Sequence, residues 1–319
     1  MGRIVNELSW SVSRAALFQS CQRAYYYRYY GYWGAWENGA APEKKLLHIL
    51  RNIKPMVLWA GSIVHDAISA SLLECKATGR VPELGDLQER ATLMLRKGWL
   101  ESVNREWEKA PSKCTNLFEL YYGDGENYGE CKRLPREQTD QIKQRVMDAL
   151  EAFAHSPALR DILQAPRGNW MTIDNKESYF MMDGIKVWAI IDFAYTDADG
   201  IMHIIDWKTG REHSSQLRFQ LACYALYAMD AWNVPLDRIA VHGVLLNDGG
   251  RRSDHPVDQA LLDSVKGQIR ASYEAMKGKI SDPAANLVEE DDCPCNPSDM
   301  NCSSCPFIRV CPGVSQVMG

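Results

Sequence analysis

Two carboxylates and a lysine, Asp192, Asp206 and Lys208, carry the first chemical signal in this chain of 319 residues. Asp192 follows Trp188-Ala189-Ile190-Ile191, and Asp206 follows His203-Ile204-Ile205 with Lys208 two residues on. Side chains of an extended strand alternate between faces, which sets Asp206 and Lys208 together and turns Trp207 away. Pairing of the two strands through the short turn at 197–200 brings the two carboxylates together near one end of a hairpin. Close carboxylates repel, and a cation offsets that repulsion. Hard oxygen ligands select magnesium or manganese, and a lysine beside such an ion orients or activates a water, or neutralises a phosphate. Asp-x-Lys by itself is a common pattern, and an Asp at a strand end is ordinarily a turn residue. Two further pairs keep it company: Gln220 and Tyr224, four apart on one helix face, and Gly61-x-x-x-His65 upstream.

The cysteines are the second signal. Of 10 in the chain, Cys293, Cys295, Cys302, Cys305 and Cys311 fall between 293 and 311, where an even spread would put fewer than one. Grouped thiols in a reducing compartment more often hold a metal than form disulfides. Cys293-x-Cys295 with Cys302-x-x-Cys305 makes a four-thiolate zinc site, and iron–sulfur ligation is equally reasonable chemistry. Cys75, Cys114, Cys131 and Cys223 have no partners by spacing and read as ordinary thiols.

The elements that must position these residues follow from periodicity. Helical spacing after Ser11 or Ser13 runs over 8–31 into the aromatic run Tyr25 to Trp36, and further helices are expected at 57–75, 84–108 and 136–163. The period then changes: 177–182, 185–196 and 201–207 predict a three-stranded antiparallel meander with turns at Asp183-Gly184 and 197–200. A helix over 214–232, a strand at 238–246 and a helix over 256–279 follow, and the Pro- and Cys-rich tail is expected to be irregular. The class is α/β.

Composition narrows the setting. Apolar residues at 46% and charged residues at 24% match a folded globular chain of one large or two modest domains. No apolar run approaches the roughly 18 residues of a membrane span, and residues 1–10 lack a signal h-region, so a cytoplasmic protein with no membrane partner is expected. A net charge of −5 argues against non-specific coating of nucleic acid. The charge is uneven, with eight Lys/Arg against three acids over 1–56 and one against six over 281–319. Arg23 and Arg28, among the aromatics, are candidates for phosphate contact beside a base-stacking platform; the alternative is that the tyrosines and tryptophans pack the N-terminal helix onto the tail.

Taken in order, Gly61-x-x-x-His65, Ile190-Ile191-Asp192, Asp206-x-Lys208 and Gln220-x-x-x-Tyr224 resemble the motif series of the PD-(D/E)XK nuclease superfamily, in its RecB-like branch. Cys302-x-x-Cys305-x5-Cys311, with Cys21 in Cys21-Gln22-Arg23-Ala24-Tyr25-Tyr26-Tyr27, is similar to the iron–sulfur subgroup, which includes CRISPR-associated exonucleases and the nuclease domains of some helicase-nucleases. Gln22 stands where that subgroup often has proline. The resemblance implies a restriction-endonuclease-like mixed sheet flanked by helices, forming one nuclease domain over 1–319. It implies cluster-binding ends at 8–31 and 290–319 that staple the periphery, and a helical insertion at 76–170. It makes His65, Asp192 and Asp206 ligands of Mg2+ or Mn2+, gives Lys208 the attacking water or the transition-state charge, and has Gln220 and Tyr224 hold Lys208 or the DNA backbone. Cys21, Cys302, Cys305 and Cys311 would bind a four-iron cluster, with Zn2+ as the alternative.

The activity implied is a metal-dependent DNA exonuclease preferring single-stranded ends, in repair or recombination. With no Gly-x-x-x-x-Gly-Lys-Ser/Thr loop in the chain, unwinding falls to a helicase or recombination partner. The span of 127 positions from His65 to Asp192 exceeds that in compact relatives, and the insertion there would roof the site and admit threaded single strands. The rival readings are a nuclease-like DNA-binding accessory protein with weak or no catalysis, and a zinc-containing interaction module.

Overall fold

A computed structural model describes residues 6–123, 134–210 and 214–313; Cys131 lies outside them. The helices in chain order are α1 (Val12–Ser20), α2 (Gln22–Tyr26), α3 (Pro42–Leu50), α4 (Met56–Thr78), α5 (Leu84–Val103), α6 (Phe118–Tyr122), α7 (Arg136–Ala154), α8 (Pro157–Gln164), α9 (Ser214–Ala231), α10 (Gln259–Lys277) and α11 (Asp299–Cys302). The strands are β1 (Ile53–Lys54), β2 (Asn116–Leu117), β3 (Trp170–Ile173), β4 (Tyr179–Met182), β5 (Ile185–Trp188), β6 (Phe193–Thr196), β7 (Met202–Lys208), β8 (Ile239–Leu245), β9 (Arg251–Asp254), β10 (Ile280–Asp282) and β11 (Leu287–Val288). The chain divides into two compact units, one of Met1–Met56, Lys97–Leu134 and Ile269–Gly319, the other of Val57–Arg96 and Pro135–Gln268.

The second unit holds a mixed five-stranded sheet in the order β3-β6-β7-β8-β9. Only β7 and β8 run parallel, and α9 makes the crossover that a parallel pair requires. β7 is central and buried along most of its length, the signature of a strand covered on both faces. Trp207, 1% exposed, meets Phe153 of α7 edge to face at 5.2 Å, while the alternate residues Asp206 and Lys208 face the other side.

The expected meander divides. β4 and β5 form a separate hairpin, and the run that reads as one strand over 185–196 changes partner at Ala189–Asp192: Ala189 still donates to Ser178 O, but the Asp192 carbonyl accepts from Asp174 N, and β6 then pairs with β3. In–out alternation persists as far as Ile191, with Ala189 and Ile191 buried and Ile190 exposed, and gives way to continuous burial over 192–195. The helix expected over 136–163 breaks at Ser156-Pro157, where the Ser156 hydroxyl caps α8 by accepting from Leu159 N at 3.1 Å and proline occupies the first turn. A further correction concerns span length: α4 is long and apolar enough to cross a membrane by length and composition, and more than half of its most apolar stretch is buried in the fold.

The turn into β9 uses Gly249 and Gly250, both at positive φ (60° and 77°). A Cβ on Gly250 would lie 2.5 Å from the Ala152 carbonyl oxygen and 2.9 Å from Ser156 Cβ, whereas one on Gly249 meets nothing within 4 Å. Gly250→Ala is therefore expected to destabilise by about 2–4 kcal/mol and Gly249→Ala by about 1 kcal/mol, read by thermal unfolding. Equal effects would mean that the backbone of α7 yields freely.

In the first unit the N-terminal helices pack on the C-terminal tail. Arg23 donates from Nε to the Cys293 carbonyl (2.7 Å) and from Nη1 to Glu290 (2.5 Å), which also accepts from the Tyr27 hydroxyl (2.8 Å). Asn301 reaches the Ser20 carbonyl at 3.1 Å, and Trp10 donates to Ser272 at 2.8 Å. Tyr25, Tyr27, Tyr30 and Tyr32 are buried, Arg14 lies 4.3 Å over the Tyr29 ring, and Trp36 remains 46% exposed. Packing thus accounts for most of the aromatic run.

Candidate active site and thiol pocket

The five residues singled out around Asp206 converge with His65 in the second unit. α4 carries His65, and Gly61 one turn earlier on the same face permits the approach: a Cβ there would come within 2.9 Å of Thr209 Oγ1, just past β7. His65 Nδ1 lies 3.1 Å from Asp192 Oδ1, and Asp192 Oδ2 accepts from the Trp207 backbone N–H at 2.8 Å. Asp192 and Asp206 are 7% and 2% exposed.

Around Asp206 the groups close into a ring with one sense of donation. Lys208 Nζ donates to Gln220 Oε1 (2.9 Å), Gln220 Nε2 to the Tyr224 hydroxyl (2.6 Å), and Tyr224 to Asp206 Oδ1 (3.3 Å). Lys208 returns as an ion pair to Asp206 Oδ2 at 2.6 Å. That contact supplies charge without the angle of a hydrogen bond, so Oδ2 is a buried oxygen that receives no hydrogen bond.

The electrostatics separate the two carboxyls. Burial pushes Asp206 up, reinforced by the neighbouring Asp192 charge and only partly opposed by Lys208. Asp192 is desolvated as well, but the His65 charge and hydrogen bond, with the Trp207 N–H, outweigh burial and hold it below the usual carboxylate range. Two carboxylates, an imidazole and a buried oxygen with no hydrogen-bond donor suit a hard divalent cation by the chemistry of the donors, although His65, Asp192 and Asp206 do not bring three ligand atoms within 4.8 Å of one another.

The imidazole faces the same contest. Burial lowers His65, and the Asp192 charge and hydrogen bond, with Asp206, overcome it and raise the ring to about 9 from 6.5. A folded value above the unfolded one stabilises fully below about pH 6.5 and is lost as pH rises through about 9. In chelator, wild-type protein should therefore lose melting temperature over that window, and His65→Gln should lack that component of the slope; identical slopes would exclude the ion pair.

One residue at this site was not foreseen. Arg145, exposed on α7, donates to the Thr209 carbonyl at 2.7 Å, one residue past Lys208. It carries no motif, and a contact across 64 positions has no local sequence signal.

The cysteines meet in the first unit. Cys21, Cys295, Cys302, Cys305 and Cys311 line one pocket with Arg23, Tyr27 and Phe307. The pair at 293 and 295 divides: Cys295 faces the pocket, while Cys293 is fully buried outside its lining and uses its carbonyl to hold Arg23. Burial pushes Cys305 up to about 11 and Cys311 up to about 12, so these thiols favour their protons until a cation compensates. Among the described residues the one set of three or more His, Cys, Asp or Glu ligand atoms all within 4.8 Å of one another is Glu101, Glu106 and Cys114, so no three pocket thiols are that close. Glu101 there is already engaged by Lys97 at 3.7 Å and the Thr115 N–H at 2.8 Å.

Arg23 and Arg28 are both occupied within the chain, Arg23 as above and Arg28 by donation to the Arg51 carbonyl at 3.1 Å. A search of curated proteins finds no match. A family model described as the PD-(D/E)XK nuclease superfamily matches residues 9–312.

Proposed function

The chain belongs to the PD-(D/E)XK nuclease superfamily, whose members are metal-dependent nucleases, and from that premise we propose that it is a DNA exonuclease acting on single-stranded ends, with a structural four-iron cluster. The observation that carries the catalytic reading is the convergence of His65, Asp192, Asp206 and Lys208 on one buried site, with Gln220 and Tyr224 closing the ring. An accessory protein without catalysis has no use for a complete set held this way.

In this reading His65, Asp192 and Asp206 hold Mg2+ or Mn2+. Such an ion, when bound, would supply Lewis-acid chemistry to the scissile phosphate and to a water. Asp192 is fixed for its role by the Trp207 N–H, and Asp206 by Tyr224. An ammonium has three donors, and Lys208, with one committed to Gln220, keeps an N–H for the attacking water or a phosphate oxygen where negative charge grows. Gln220 and Tyr224 act on the reaction by orienting Lys208 and Asp206. Arg145, from the 76–170 stretch assigned as the helical insertion, puts a cation at the rim for a neighbouring phosphate.

The cluster reading rests on the thiol pocket. Four thiolates 2.3 Å from one zinc lie about 3.8 Å apart, and the wider pocket spacing favours a larger inorganic core held by Cys21, Cys302, Cys305 and Cys311. The net charge of −5 agrees with weak, salt-sensitive DNA binding and with a helicase or recombination partner that delivers the strand.

Anaerobically purified protein incubated with end-labelled DNA tests the activity. Linear single strands should shorten in Mn2+ and stay intact in chelator, with circular single strands spared. Equal cutting of circles would overturn end-dependence; no cutting of any substrate in Mn2+ or Mg2+ would overturn the nuclease reading.

A further inference from the structure

The pocket contains one thiol more than a four-iron cluster uses. Five cysteines line it, and two of them are paired unlike the rest: Cys295 Sγ and Cys311 Sγ stand 3.3 Å apart, nearer than sulfurs in ordinary non-bonded contact. The approach depends on the absence of a side chain at Gly313, where a Cβ would lie 3.0 Å from Cys295 Cβ, 3.3 Å from its Sγ and 3.7 Å from Cys311 Sγ. Cys295 sits in irregular backbone between Cys293 and Ser298, held beside the pocket by the Arg23 backbone N–H donating to the Pro294 carbonyl at 3.1 Å and Asn296 donating to the Ser20 carbonyl at 2.8 Å.

We propose that Cys295 is a resolving thiol for Cys311: when a peroxide strips the cluster, the two sulfurs close a disulfide. The link holds the emptied pocket together and shelters Cys311 from irreversible oxidation. Its connection to cluster loss rests on the cluster reading above; the sulfur contact does not.

The chemistry balances with hydrogen peroxide as oxidant. The Cys311 thiolate attacks the peroxide, an S–O bond forms as O–O breaks, and hydroxide leaves to take up a proton as water. Cys295 sulfur then attacks the sulfenic acid, S–S forms as S–O breaks, and a second water leaves. One peroxide is reduced and two thiols are oxidised. The sulfurs need close only from 3.3 Å to about 2.05 Å. A dithiol reductant reverses the link and returns Cys311 as a ligand.

The test titrates purified protein with hydrogen peroxide, following visible absorption, and maps disulfides by alkylation and peptide mass. Wild type is expected to gain one 295–311 cross-link per cluster lost, and to recover most of its absorption after dithiothreitol, iron and sulfide. Cys295→Ser should show full absorption before oxidation, no cross-link after it, and several-fold poorer recovery, with Cys311 found as sulfinic acid. Bleaching without a 295–311 link, or a Cys295→Ser protein that lacks absorption from the start, would overturn the proposal. Wild type isolated with no iron fails the cluster reading instead, and the cross-link is then scored on that protein directly.

Discussion

Lys208→Ala is expected to lower single-turnover DNA cleavage by about 10³-fold while leaving the circular dichroism spectrum and DNA affinity unchanged, and Asp206→Ala to do the same. The argument is the ring around Asp206. Lys208 is paired with a carboxyl that burial and Asp192 both push toward its neutral form. Removing the lysine deletes a donor at the point where phosphate charge develops, and also the charge that keeps Asp206 ionised as a ligand. The two losses share one residue, so Lys208→Ala should additionally raise the Mn2+ concentration needed for residual cutting. Lys208→Arg keeps the charge but replaces a point donor with a planar fork, and should recover little. Cleavage within tenfold of wild type in either alanine variant would sink the site assignment.

Cys302→Ser and Cys305→Ser are expected to remove the cluster: iron falls from about four per chain to below one, the brown colour is lost, and the melting temperature drops by about 10 °C. Cys305 is a thiol that burial holds protonated, up to about 11, and only a cationic partner makes its thiolate favourable in that place. Without the metal the first unit retains its direct ties, Arg23 to Glu290 and the Cys293 carbonyl, so loss of the cluster weakens it without unfolding it. Cys114→Ser, away from the pocket, should keep its iron. A colourless wild type carrying one zinc would exclude the cluster, and serine variants with normal iron would exclude these ligands.

The candidate catalytic set was legible because its pieces are short-range. Asp206 and Lys208 share a strand face by alternation, Gln220 and Tyr224 a helix face by the i, i+4 rule, and Gly61 with His65 likewise; each relation lies within five residues. What joins the pieces was legible only through the resemblance, since nothing local says that α4 lies near the start of β6. The misread elements share a cause. The run from Ile185 to Ile191 keeps one alternation while its hydrogen bonds leave β4, before continuous burial over 192–195 beside β3, and alternation reports burial, not partnership. Arg23 reads as a surface cation by residue type, yet the tail supplies it with Glu290 and a carbonyl across more than 260 positions. Cys295 was an unresolved member of a dense group because spacing alone could not separate the residue facing the pocket from its neighbour Cys293.

The interleaving of the two units orders events during synthesis. Every residue of the sheet unit lies before 269, whereas the other unit needs Ile269–Gly319 to complete its own packing. Folding from the ribosome therefore delivers the carboxylate site first and leaves residues 1–56 waiting for Ile269–Gly319. The thiol pocket joins Cys21 to residues 295–313 and so can form only after the whole sheet unit has been made.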